Sequence, residues 1–174
     1  MMTNANSLLT KNIVDGAKMY LYRGMDINMY NELNGELIPR GIMTTANLYP
    51  GEHLSPSENL FPGNHYLNAI DKHQNPLRYD EDDFKNNSAY LSTTPHLEHA
   101  KYYATKGNTI PGYVFYINRS LLANFNINEY IVSESATIIT VPEDDEVLLL
   151  TNPVGTPLLK EVIIKVERIE PSMT

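Results

Sequence analysis

The chain has 174 residues, with 13 Lys and Arg against 21 Asp and Glu, a formal charge of −8. That length suits one domain with a single sizeable core, and 42% hydrophobic with 20% charged residues exclude a disordered tail or a coiled coil. With no cysteine, disulfide staples, thiolate metal sites and cysteine nucleophiles are excluded, and the acidic balance disfavours broad contact with nucleic-acid phosphates. The opening MMTNANSLLTKNIVDG lacks the basic-then-apolar order of a secretory signal. The uncharged run from Val147 to Leu159 holds two prolines and falls short of the ~18 residues of a membrane span. The expectation is a soluble chain, brought by other means to any target outside its cell of origin, or else a domain of a longer polypeptide.

In chain order, the first twelve residues are polar and expected to fray. KMYLYRG, from Lys18 to Gly24, reads as a strand ending at a glycine. Asp26 then caps a short helix running to Leu33, with Gly35 as its stop. The stretch from Glu36 to Ser88 holds five of the eleven prolines and reads as loop, with one helix near His65 to Asp71. Ala89 to Ser92 reads as a strand, and Thr94 with Pro95 starts a helix that Gly107 closes after Lys106. Tyr113–Asn118, Ile138–Val141, Val147–Leu150 and Glu161–Ile169 read as further strands, the last with partial alternation of apolar and charged residues. Helices early and strands late predict an α+β fold with mostly antiparallel strands.

Three constellations carry candidate chemistry. Arg23 ends an apolar strand, where its planar fork suits phosphate or carboxylate, although a surface arginine is the commoner case. Ser92, Thr93 and Thr94 alternate along a strand end and suit either ligand contacts or simple capping of the next helix. Glu143, Asp144, Asp145 and Glu146 lead into an apolar strand. A strand beginning near Asp144 puts Asp144 and Glu146 on one face, as a reaction that develops positive charge requires; a solvated acidic turn is the alternative. The five histidines, including His96 and His99 on one helix, show no metal-ligand spacing, so no metal is expected.

Together these motifs resemble the ADP-ribosyltransferases of the arginine–serine–glutamate class, and in particular the cholera-toxin-like enterotoxin A group. The likeness runs from about Tyr20 to Leu150 through LYRG (21–24), ELIPRG (36–41), YLSTTPHLEHAKYYA (90–104), GYVFYINRSLLANFNINEY (112–130) and PEDDEVLLL (142–150). It implies two small, mostly antiparallel sheets packed around an NAD cleft, in one catalytic domain over 1–174 with an ordered core at about 15–170. It also implies NAD as co-substrate, with Arg23, Gly24, Ser92, Thr93, Thr94 and Glu146 binding it. Glu146, Asp144, Ser92 and Arg23 are the implied catalytic set, with Ser92 orienting Glu146 and Asp144 facing the acceptor. The segment from Ser133 to Glu143 corresponds to the family's acceptor-recognition loop. The implied activity is mono-ADP-ribosylation of a protein side chain, arginine favoured, with NAD glycohydrolase activity beside it. A secreted or translocated bacterial toxin or effector, with a target protein and an immunity or activator protein as partners, is the implied setting. Asp144 departs from the glutamate usual in arginine-modifying members, being one methylene shorter. The alternatives are the same chemistry on a nucleic acid or small molecule, or an inactive interaction domain of the same fold.

Overall fold

The computed structural model describes residues 19–42, 88–135 and 141–172. The expected frayed start, the helix near 65–71 and all but the last residue of the 138–141 strand lie outside those residues. In chain order the described elements are β1 (Tyr20–Asp26), α1 (Ile27–Glu32), β2 (Tyr90–Thr93), α2 (Leu97–Ala104), β3 (Gly112–Asn118), β4 (Asn128–Ile131), α3 (Val132–Ser135), β5 (Val147–Leu150) and β6 (Ile163–Ile169). They form an α+β fold with two three-stranded sheets, ordered β1-β3-β6 and β2-β5-β4. Every strand pair among them is antiparallel.

Alternation along the strands builds the core between the sheets. Leu21 and Met25 of β1 and Phe115 and Ile117 of β3 meet Leu91 of β2 and Val147 and Leu149 of β5 in one buried cluster, which Leu37, Leu158 and Val162 complete. Burial of each such large side chain contributes about 1.5–3 kcal/mol. The sheets are also joined through the backbone: Tyr22 and Thr94 form an isolated bridge, with N···O distances of 2.7 and 2.9 Å. That bridge sets Arg23 beside the end of β2.

The other face of the first sheet carries α2. Ala100 and Ala104 pack on Val114, with Tyr22 and Tyr116 around them. Two glycines permit this approach. A Cβ on Gly24 would stand 2.0 Å from the Ala100 carbonyl oxygen, and one on Gly112 would stand 1.9 Å from that of Ala104. The helix thus rests on bare backbone of β1 and β3.

Local chemistry fixes the ends of the helices. The Asp26 carboxylate accepts from the backbone N–H groups of Asn28 and Met29 at 3.0 Å each, as an N-cap should. Gly35 closes that segment with φ +74° and its N–H on the Tyr30 carbonyl at 2.8 Å. At α2 the expectation needs correction. The helix begins at Leu97 rather than Pro95, and Thr94 is not its cap. The bridge to Tyr22 keeps Thr94 extended, so helical geometry starts only beyond Pro95. The helix ends at Ala104, and Gly107 closes the turn at φ +68°.

Three further differences concern the second half. β4 is not among the expected strands; Asn128 and Glu129 are exposed, and pairing with β5 makes it a strand. Helices are not confined to the first half, because α3 and single 3₁₀ turns at Arg119–Leu121, Ala123–Phe125, Pro142–Asp144 and Lys160–Val162 link the strands. The last strand starts at Ile163, after the 3₁₀ turn, and its Ile164 and Val166 are exposed. No helix among the described residues is long and apolar enough to cross a membrane.

Candidate active site

The site lies where the end of β2 meets the entrance to β5. β2 pairs with β5 in the register Ser92↔Leu148 and Thr93↔Val147, so the chain just before β5 runs past the hydroxyl side chains. Each hydroxyl takes hold of a different point on it. Ser92 Oγ donates a short hydrogen bond to Glu146 Oε1. Thr93 Oγ1 donates to the Val147 carbonyl at 2.6 Å, and Thr94 Oγ1 donates to the Asp144 carbonyl at 2.5 Å. Thr94 Oγ1 also accepts from the backbone N–H of His96 at 3.1 Å. Two of the three hydroxyls therefore fix backbone, and one fixes a carboxylate.

The acidic run is not the start of a strand. Pro142–Asp144 forms a 3₁₀ turn, Asp145 is left-handed at φ 47° and ψ 47°, and β5 begins only at Val147. Asp tolerates the left-handed region better than most residues. The kink at Asp145, not strand alternation, brings Asp144 and Glu146 to the same recess. Asp145 turns away and meets His96 Nε2 at 2.7 Å. Asp144 is gripped from α2 instead: its Oδ1 pairs with His99 Nδ1 at 2.9 Å, and its Oδ2 accepts a short hydrogen bond from the Tyr103 hydroxyl.

Arg23 comes from β1. Its Nη1 donates to the Ser92 carbonyl at 3.2 Å, whereas its buried Nε has no hydrogen-bond partner. Burial lowers the pKa of this guanidinium, Arg40 lowers it further, and Glu146 partly offsets both. An arginine remains charged under such shifts, so this is an enclosed cation with a donor to spare. Such a group favours an anion. The Tyr103 hydroxyl shifts the other way. Burial, the bond to Asp144 and the charges of Asp144 and Glu146 push its pKa well above the ordinary tyrosine range, so it serves as a proton-bearing donor.

The seven residues of the implied catalytic and NAD-binding sets line one small recess of about 30 Å³: Arg23, Gly24, Ser92, Thr93, Thr94, Asp144 and Glu146. Gly24 differs from the others, since its place in the fold is explained by the close approach of α2. Arg23 and Ser92 also line a neighbouring cleft of about 470 Å³, walled by Met25, Met29, Leu33, Leu37 and Arg40 among others. That volume falls within the range of about 300–1,000 Å³ common to small-molecule sites. The sequence reading set His99 aside with the other histidines and did not single out Tyr103 or Arg40 as site residues. His99 and Tyr103 lie four apart on α2, one helical turn, which was the available signal. Among the described residues no group of three or more His, Asp or Glu is placed to hold a metal ion.

An α+β core of two small antiparallel sheets, with an arginine, a serine and a glutamate meeting where they join, has the form of an ADP-ribosyltransferase. Residues 20–149 match the NarE family, an ADP-ribosyltransferase-like family, and the chain belongs to it. ADP-ribosyltransferase chemistry with NAD as co-substrate is the activity of that class. No curated protein matches the chain.

Proposed function

We propose that the protein is a mono-ADP-ribosyltransferase that cleaves NAD and transfers ADP-ribose to a protein side chain, arginine first. The observation that carries this reading is the convergence of Glu146, held by Ser92, with Arg23 and Asp144 on one recess. Breaking the bond between nicotinamide and ribose builds positive charge on the ribose, as glycoside hydrolysis does. Glu146 is the carboxylate that stabilises this charge and holds a ribose hydroxyl, and Ser92 keeps it aimed. Arg23 anchors the diphosphate region: it is an enclosed cation whose Nε lacks a partner. The larger cleft, with Arg40 and an apolar wall, suits the adenosine end.

In the transfer step the glycosidic bond breaks and nicotinamide leaves neutral with the bonding electron pair. A guanidinium nitrogen of the acceptor bonds to the ribose carbon and gives up a proton, which Asp144 accepts. With water in place of the acceptor, the same cleavage becomes NAD hydrolysis. The enterotoxin-like resemblance favours a toxin or effector that meets its target in another cell, with a target protein and an immunity or activator protein as partners. We take residues 1–174 as one catalytic domain.

The test is incubation of labelled NAD with a protein lysate and, separately, with agmatine as a small guanidinium acceptor. Transfer to agmatine and to a protein band that survives nuclease treatment is expected. Asp144→Asn should lower transfer more than nicotinamide release. Equal loss of both, or labelling that nuclease removes, contradicts the arginine assignment.

A further inference from the structure

We infer that His99 and Tyr103 of α2 are positioning residues that aim Asp144 at the acceptor; this rests on the acceptor-side reading of Asp144. Three observations carry it. First, Asp144 sits in a 3₁₀ turn next to a left-handed residue, so strand pairing does not orient its side chain. Second, each of its carboxylate oxygens meets a different side chain of α2, Oδ1 the His99 Nδ1 at 2.9 Å and Oδ2 the Tyr103 hydroxyl. Third, the Asp144 side chain is only 16% exposed, so it is the carboxylate that is enclosed while His99 and Tyr103 reach it from the open side.

The chemistry suits an acid that must keep its charge and still receive a proton. A carboxylate has about four acceptor positions. His99 and Tyr103 use two of them, which leaves two for a guanidinium. A carboxylate oxygen only accepts, so His99 donates to Asp144 through an Nδ1–H. Tyr103 is a pure donor here, because its pKa is raised. Aspartate is one methylene shorter than glutamate and has less reach. Helix α2 compensates by fixing it from behind, and His96, just before the helix, meets the adjoining Asp145 at 2.7 Å on the exposed surface. The helix can lie close enough only because Gly24 and Gly112 lack side chains. The acceptor half of the site thus depends on a helix that the sheets themselves do not include.

The test compares transfer to agmatine with nicotinamide release for His99→Ala, His99→Asn, Tyr103→Phe and Asp144→Asn. Asparagine places an amide donor near the position of Nδ1, and phenylalanine keeps the ring. Loss of one charge-assisted hydrogen bond should lower the transfer-to-hydrolysis ratio about tenfold in His99→Ala and in Tyr103→Phe. His99→Asn should recover most of that ratio. A change that only loosens the fold lowers both activities together and leaves the ratio alone. An unchanged ratio in His99→Ala and Tyr103→Phe, or no recovery in His99→Asn, overturns the assignment while a selective Asp144→Asn defect leaves the acceptor reading standing. Equal loss of both activities in Asp144→Asn defeats the acceptor reading itself.

Discussion

Glu146 and Asp144 are two residues apart and line the same recess, yet they are held by different parts of the molecule. Glu146 precedes β5 directly, and a serine from the neighbouring strand β2 holds it. Asp144 stands on a 3₁₀ turn and is held by side chains of α2, which packs on the other sheet. The first carboxylate inherits its position from strand pairing, where the register leaves little freedom. The second depends on the seating of a helix. Under the proposed function, the bond-breaking half should therefore resist perturbation, and the acceptor half should be easily uncoupled from it.

The strongest way to break this contrast is Gly24→Ala. Its Cβ would press on the Ala100 carbonyl oxygen and on the Ala104 nitrogen, both backbone atoms of α2. A cost of about 3 kcal/mol is expected, at the upper end for overpacking, which lowers the melting temperature by roughly 6–12 °C for a chain of this size. In the folded fraction, transfer to agmatine should fall more than nicotinamide release, because displacement of α2 moves His99 and Tyr103. Equal loss would mean that the two halves are not separable.

Arg23→Lys is expected to weaken NAD binding roughly tenfold, as a point charge replaces a planar fork. Calorimetric titration with NAD checks it, and both activities should fall together if Arg23 anchors NAD as proposed. Glu167→Gln is the smallest change and lies outside both halves. Lys165 at 2.7 Å and the Tyr116 hydroxyl at 2.9 Å hold the Glu167 carboxyl below its ordinary range. Its stabilisation is therefore present at neutral pH and is lost as pH falls through its lowered pKa. The pair is near the surface, so Glu167→Gln should cost no more than about 0.5 kcal/mol at pH 7 and nothing once the carboxyl is protonated. Melting curves across the acid range check this, with both activities unchanged.

The contrast between the halves also marks what the sequence could reveal. The Arg23 strand, the Ser92 strand and the Val147–Leu150 strand were legible because each is a short apolar run; pairing of β2 with β5 then brings Ser92 and Glu146 together, and the Tyr22–Thr94 bridge between the sheets adds Arg23. The Asp26 cap and the Gly35 stop were legible for the same reason, being local chemistry. The kink at Asp145 was not, since nothing in PEDDEV states that a left-handed residue interrupts the run. The grip of His99 and Tyr103 was hidden too, because it depends on contacts across 45 and 41 residues. β4 escaped because its exposed Asn and Glu lack an apolar signal, and only the partner strand makes it a strand.

In the proposed function Glu146 drives cleavage of NAD, while most of the binding comes from Arg23 and the neighbouring cleft. The most direct measurement pairs NAD binding with nicotinamide release for the wild type and Glu146→Gln. The account predicts that the variant still binds NAD within a fewfold of wild type, while release falls by about 10²–10³. Equal release by the two proteins, or a wild type that neither binds nor cleaves NAD, would contradict it.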